Sequence, residues 1–141
     1  MMFRLLLAFM GIAPVAGGAV LRVDVTNLRN NQGVVYCELF HSADGFPNKP
    51  DKAIARVKAA IREQAGICEF RNLSPGTYAV AAFHDEKRIG RLEKNFLGIP
   101  KEGVGVSNDV SGRWGKPSFD DSKFDMGSED TEITLHIHYP R

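Results

Sequence analysis

The residues with most scope for chemistry in this 141-residue chain are four histidines and the carboxylates and hydroxyls near them. His84 and Asp85 stand side by side at the end of an apolar run, with Glu86 next in line. Strand ends that open into long loops often carry function. With Glu102 and Ser107, these residues would supply the base, acid and nucleophile of a small hydrolase. The same side chains serve equally well to satisfy backbone groups that organise the loop, and no Gly-x-Ser-x-Gly elbow surrounds Ser107. His136 and His138 are two residues apart, so on a strand their rings project from one face. A zinc or copper ion takes such a pair when a third ligand such as His41 or His84 joins it; without one, the pair is a wet strand face. Trp114, between Ser111-Gly112-Arg113 and Gly115, is either a platform for a sugar or an apolar anchor for its loop.

The N-terminus bears on how the two cysteines read. Arg4 precedes an uncharged apolar run over residues 5–13, Pro14 ends it, and Ala16, Gly17, Gly18 and Ala19 follow. This order of basic flank, short apolar core and small residues is that of a secretory signal peptide, with the cut expected between Ala16 and Val20. Residues 1–19 are thus expected to be the leader and 20–141 the folded domain, periplasmic or secreted. The alternative is a membrane anchor, for which the run is Gly-rich, broken by Pro14 and short of the roughly 20 apolar residues a spanning helix needs. An exported chain meets oxidising conditions. Cys37 and Cys68 are therefore expected to form a disulfide closing a loop of about 30 residues, a constraint worth roughly 3–4 kcal/mol. Two buried free thiols are the alternative. A CxxC spacing, which thiol–disulfide catalysis needs, is absent.

The whole chain carries 18 basic and 17 acidic residues. Loss of Arg4 with the leader balances them, and no basic block remains. Nucleic acid is not expected as a partner.

The elements that must position these residues alternate with period two, as half-buried strands do. Leu21, Val23 and Val25 alternate with Arg22, Asp24 and Thr26. Residues 34–40 are apolar on both faces, 67–71 form a clearer strand, and 77–84 give the strongest strand signal. In 131–139, Ile133, Leu135, Ile137 and Tyr139 point inward. Residues 53–61 read as a strand preceded by a short helical turn. The polar run 27–33 reads as a hairpin connection, and Leu73-Ser74-Pro75-Gly76 as a tight turn. The fold class expected is all-β: a single-domain antiparallel sandwich of about seven strands, immunoglobulin- or transthyretin-like. Strands apolar on both faces need a cover on each. Residues 85–121, with no convincing strand of their own but with Phe96, Leu97, Ile99 and Phe119, are expected to form one long ordered loop covering a sheet face.

Residues 73–86, Leu-Ser-Pro-Gly-Thr-Tyr-Ala-Val-Ala-Ala-Phe-His-Asp-Glu, resemble the strand-turn-strand signature of transthyretin-like and carboxypeptidase-regulatory-like sandwiches. The continuation, Asn95-Phe96-Leu97-Gly98-Ile99-Pro100-Lys101-Glu102-Gly103, then Val106-Ser107-Asn108 and Lys116-Pro117-Ser118-Phe119-Asp120, resembles the bacterial family known as domain of unknown function 2141. The resemblance spans about residues 20–140. It implies a small exported β-sandwich and no particular reaction. Many members of that family have His-Asp-Glu-Asn-Gly-Asn-Gly-Lys-Leu-Asp after the central strand, a run similar to a calcium loop. Here Lys87 and Ile89 replace asparagines and Arg88 and Arg91 add positive charge, leaving Asp85, Glu86, Glu93 and Asn95 as oxygen donors. No cofactor is expected. The leading expectation is a non-enzymatic binding or accessory module of the cell envelope acting through residues 85–121, on an envelope protein or a small ligand. His84, Asp85, Glu86, Asn95, Glu102, Ser107, Asn108 and Trp114 are its candidate binding or loop-organising residues. The alternative is a small periplasmic hydrolase or metal-handling protein centred on His84, Asp85 and Glu102, or on His136 and His138.

Overall fold

The computed structural model describes residues 18–110 and 116–140, so residues 1–17 of the expected leader and Trp114 lie outside the described residues. Strand β1 (Ala19–Thr26) buries Ala19, Leu21, Val23 and Val25 and turns the residues between them outward. It is the middle of a three-stranded sheet, flanked by β4 (Gly66–Leu73) and β8 (Thr131–His136). The second sheet runs β3 (Ala55–Ala60), β2 (Val34–Phe40), β5 (Gly76–Asp85) and β6 (Val104–Val106), and β7 (Phe124–Met126) pairs with the start of β5. A 3-10 turn at Pro50–Lys52 precedes β3, and one short helix, α1 (Phe119–Ser122), is capped by the Ser118 side chain accepting from the Asp121 N–H.

Between the sheets lies the main core. Leu21, Val23 and Val25 meet Val35, Cys37 and Leu39 from β2, Cys68 and Phe70 from β4, Val80 from β5, and Leu135 and Ile137. Each large apolar side chain so buried contributes roughly 1.5–3 kcal/mol before the entropy of ordering the chain is counted. Tyr78 ties the β4–β5 corner to this core: its ring is buried and its hydroxyl donates to the Ser74 carbonyl at 2.6 Å.

Four differences from the sequence reading have physical reasons. The run 27–33 is not a hairpin but a crossing from one sheet to the other. Asn27 sits at φ 67°, Leu28 is buried in the core, and the Leu28 N–H is held by the Gln64 carbonyl. The pairing is not wholly antiparallel, because β1 and β8 run parallel from Leu21↔Thr131 to Thr26↔His136. Residues 85–121 do contain a strand, β6, which pairs Val106 with Ala81 and Val104 with Phe83. Nor do they cover the second sheet alone: Phe46 from the preceding loop packs edge-on against Phe40 and Phe119, making a second small core on the outer face.

The expected disulfide is corrected too. Cys37 and Cys68 are both free and both completely buried. Cys37 lies on the inner face of one sheet and Cys68 on that of the other, each filling the volume of a small apolar residue. The Cys68 thiol is directed at the Val57 carbonyl, 3.9 Å away. Burial, and then the neighbouring Cys68 thiol, push the Cys37 thiol well above its ordinary range, so the reactive thiolate is scarce.

Candidate functional site

β5 carries His84 and Asp85 at its far end, where the segment 86–103 begins. Antiparallel pairing with β2 puts His84 opposite Val35 and Asp85 opposite Val34, and the His84 ring is completely buried. Its Nε2 lies 2.6 Å from the Gln32 carbonyl, which can only accept, so Nε2 holds the hydrogen. Its Nδ1 lies 2.8 Å from the Tyr139 hydroxyl, and that oxygen already accepts from the Arg29 N–H at 2.9 Å. The tyrosine hydrogen therefore goes to Nδ1. The pattern assigns one continuous chain, from Arg29 N–H to Tyr139 to His84 to the Gln32 carbonyl, in which every donor has an acceptor. Arg29 also lies 4.6 Å over the Tyr139 ring and binds Glu86 at 2.8 Å, while Asn30 reaches the other Glu86 oxygen at 3.3 Å. Burial raises the Tyr139 hydroxyl above its usual range, with the Arg29 N–H acting against it. Next to this knot, Gly33 at φ 74° lets two backbones meet: a Cβ there would collide with the Asp85 carbonyl.

The other candidates are also engaged with backbone. Asp85 accepts from the Ile89 N–H at 2.9 Å and the Gly90 N–H at 2.7 Å, one on each oxygen. Glu102 accepts from the Glu93 N–H at 2.9 Å. The Asn95 oxygen accepts from Leu97 and Ile99 N–H groups, closing a turn. Ser107 is buried, accepts from the Val80 N–H at 3.0 Å and donates to the Ser122 carbonyl at 2.6 Å. Asn108, at φ 64°, donates to the carbonyls of Asp121 and Lys123. His84 and Ser107 thus share no hydrogen bond, and the two ends of the segment are tied down separately. His136 pairs with Asp109 at 2.8 Å, whereas His138 is exposed and its backbone bridges Val104. Among the described residues, no three His, Cys, Asp or Glu side chains cluster as a metal would require.

What these tethers build is a groove of about 870 Å³ on the outer face of the second sheet. Ala81, Phe83 and Val106 form its floor, and Leu92, Leu97 and Ile99 wall it from the long segment. Arg91, Lys94 and Lys116 stand on its rim, and among the described residues none of the three is in an ion pair. In the floor lies one buried carboxylate, Glu38, 3.2 Å from the Arg56 guanidinium. Arg56 lies 4.0 Å over the Tyr36 ring, which stacks on Phe83, and donates to the Gly90 carbonyl at 2.6 Å. Burial raises the Glu38 carboxyl above its ordinary range and Arg56 draws it back.

The family described as an uncharacterized protein conserved in bacteria, DUF2141, matches residues 23–134. The chain belongs to this family. The match runs from the middle of β1 into β8, and so takes in the groove's lining except His138. No curated protein and no solved structure matches the chain. Among the described residues no helix is long and apolar enough to cross a membrane.

Glu38 and Arg56 are the groove residues missing from the sequence-based candidates. One signal was present: Glu38 is the lone charge in Val-Val-Tyr-Cys-Glu-Leu-Phe, a strand whose two faces are otherwise uncharged. Its partner follows only from the register, which sets Glu38 directly opposite Arg56 on β3.

Proposed function

We propose that this member of the family is an exported, non-enzymatic binding module of the cell envelope, whose ligand seat is the groove walled by residues 85–121. The observation that carries the reading is the groove itself. At about 870 Å³ it lies in the range of small-molecule sites, and its floor and wall are mainly apolar with a few convergent charges. The polar residues around it support the same reading, because their hydrogen-bonding capacity goes into holding the wall in place rather than into an exposed reactive group. The basic flank, apolar core and small residues at the N-terminus support export.

The test is a fluorescence titration with 1-anilinonaphthalene-8-sulfonate, an apolar dye with one negative charge. Wild-type protein is expected to bind it saturably, and Val104→Trp and Leu92→Asp, which fill and polarise the groove, each to weaken binding at least tenfold while the circular dichroism spectrum is kept. Absence of saturable binding, or two folded variants that bind like the wild type, refutes the reading. Export is checked on protein recovered from the periplasmic fraction, whose mass should place its first residue between positions 17 and 20.

A further inference from the structure

Three of the five exposed large apolar side chains of the described residues, the two most exposed among them, are gathered at one place, the turn that tops the groove wall. Phe96 is 96% exposed, Leu97 68% and Ile99 47%. An apolar cluster so presented calls for a partner. The turn is a rigid one. Lys94 bridges Pro100, the Asn95 N–H donates to the Ile99 carbonyl at 2.9 Å, the Gly98 N–H donates back to the Asn95 carbonyl at 2.9 Å, and the Asn95 side chain takes the Leu97 and Ile99 N–H groups. Gly98, at φ 80°, lets the chain reverse there. Four of the turn's N–H groups, those of Asn95, Leu97, Gly98 and Ile99, are thus bonded within it, and the three side chains are held out before any partner arrives.

Among residues 86–103, the exposed charged side chains are all of one sign. Lys87, Arg88, Arg91, Lys94 and Lys101 are all exposed, and among the described residues none of them is in an ion pair. The carboxylates of the same segment, Glu86, Glu93 and Glu102, are half-buried; Glu86 is paired with Arg29 and Glu102 accepts from the Glu93 N–H. An apolar tip flanked by exposed cations complements a surface that is apolar within and anionic at its rim, and a bilayer with anionic headgroups is such a surface.

We propose that the turn over residues 94–100 is a membrane-docking tip: Phe96, Leu97 and Ile99 enter the headgroup–acyl boundary while the five cations hold anionic headgroups. Leu97 and Ile99 also wall the groove, so docking sets the mouth of the groove against the bilayer. The inference stands apart from the groove's ligand, because Phe96 does not line the groove.

The test is co-sedimentation of the protein, as purified from the cell, with vesicles of phosphatidylcholine alone and with 30% phosphatidylglycerol. Binding to the anionic vesicles is expected, falling as salt rises. Phe96→Ser should weaken it roughly tenfold, and Lys94→Glu/Lys101→Glu at least about fivefold per lysine. A Phe96→Trp reporter in a Trp114→Phe background should be quenched by brominated acyl chains. Phe96→Ser should leave dye binding in the groove unchanged, which separates failure of the tip from failure of the groove. The proposal is overturned by equal binding to both vesicles, by variants that bind like the wild type, by an unquenched reporter, or by concentration-dependent self-association through Phe96 with no vesicle binding.

Discussion

Replacing Arg56 with methionine isolates the one charge the groove floor keeps out of water. The methionine stem keeps most of the packing on Tyr36 but removes the cation 3.2 Å from Glu38 and the hydrogen bond to the Gly90 carbonyl. Breaking a buried pair by removing one partner costs about 3–5 kcal/mol. The guanidinium here is 35% exposed, so the lower end applies, about 3 kcal/mol at pH 7.5. The sign of the pH dependence follows from the direction in which Glu38 is displaced. Its folded-state value lies above the ordinary 4.5, so the folded protein holds the proton to higher pH than the unfolded chain does. Glu38 therefore costs nothing at pH values where both states are protonated. It costs progressively more as pH rises from 4.5 through its folded value. Arg56 is the influence that lowers that value, so Arg56→Met widens the window upward and deepens the loss. Urea unfolding followed by circular dichroism at pH 7.5 and at pH 4.5 measures it. The gap between variant and wild type should shrink from about 3 to about 1 kcal/mol on acidification, the remainder being the lost contacts with Tyr36 and Gly90. Glu38→Gln/Arg56→Met should regain at least half of the loss at pH 7.5. A gap independent of pH, or a double variant no better than the single one, would show that an uncompensated Glu38 charge is not the cause.

Two further outcomes test the core. Tyr139→Phe leaves the Arg29 N–H and the buried His84 Nδ1 without partners and should cost about 1–3 kcal/mol in urea unfolding; a loss under about 0.5 kcal/mol, the scatter of surface changes, would break the proposed chain of donors. Native protein treated with iodoacetamide should stay unmodified by mass spectrometry and take up two adducts once unfolded, because both thiols are buried and the Cys37 thiolate is disfavoured; rapid native labelling, or a purified protein lacking two free thiols, would contradict the structure.

Strands with one wet face were legible in the sequence. β1 and β8 alternate because every second residue meets solvent, and that pattern survives without knowledge of their neighbours. β6 was not legible, since three residues with Gly105 in the middle carry no periodicity. Polar composition alone does not separate a hairpin from a crossing between sheets, so the route of residues 27–33 was decided by the burial of Leu28 and by a hydrogen bond to distant Gln64. The site divides the same way. His84 and Asp85 stood out as polar groups at a strand end. What they do was hidden, because the partners of His84 lie 52 and 55 residues away in sequence, at Gln32 and Tyr139. Cys37 and Cys68 are near one another in the core as their even number suggested, yet composition alone could not tell packed thiols from a bond.

The parallel seam between β1 and β8 also dictates an order of events. At that seam the Val20 N–H donates to the Asp130 carboxylate, 110 residues further on, and among the described residues β1 alone joins β4 to β8. β1 thus waits for β8, and the three-stranded sheet cannot close before residues 131–136 are made. Such long-range pairing slows folding. A chain released early, or cut before Thr131, would leave one edge of β1 unpaired, with Leu135 and Ile137 missing from the core. Closure of the three-stranded sheet therefore waits on the synthesis of β8.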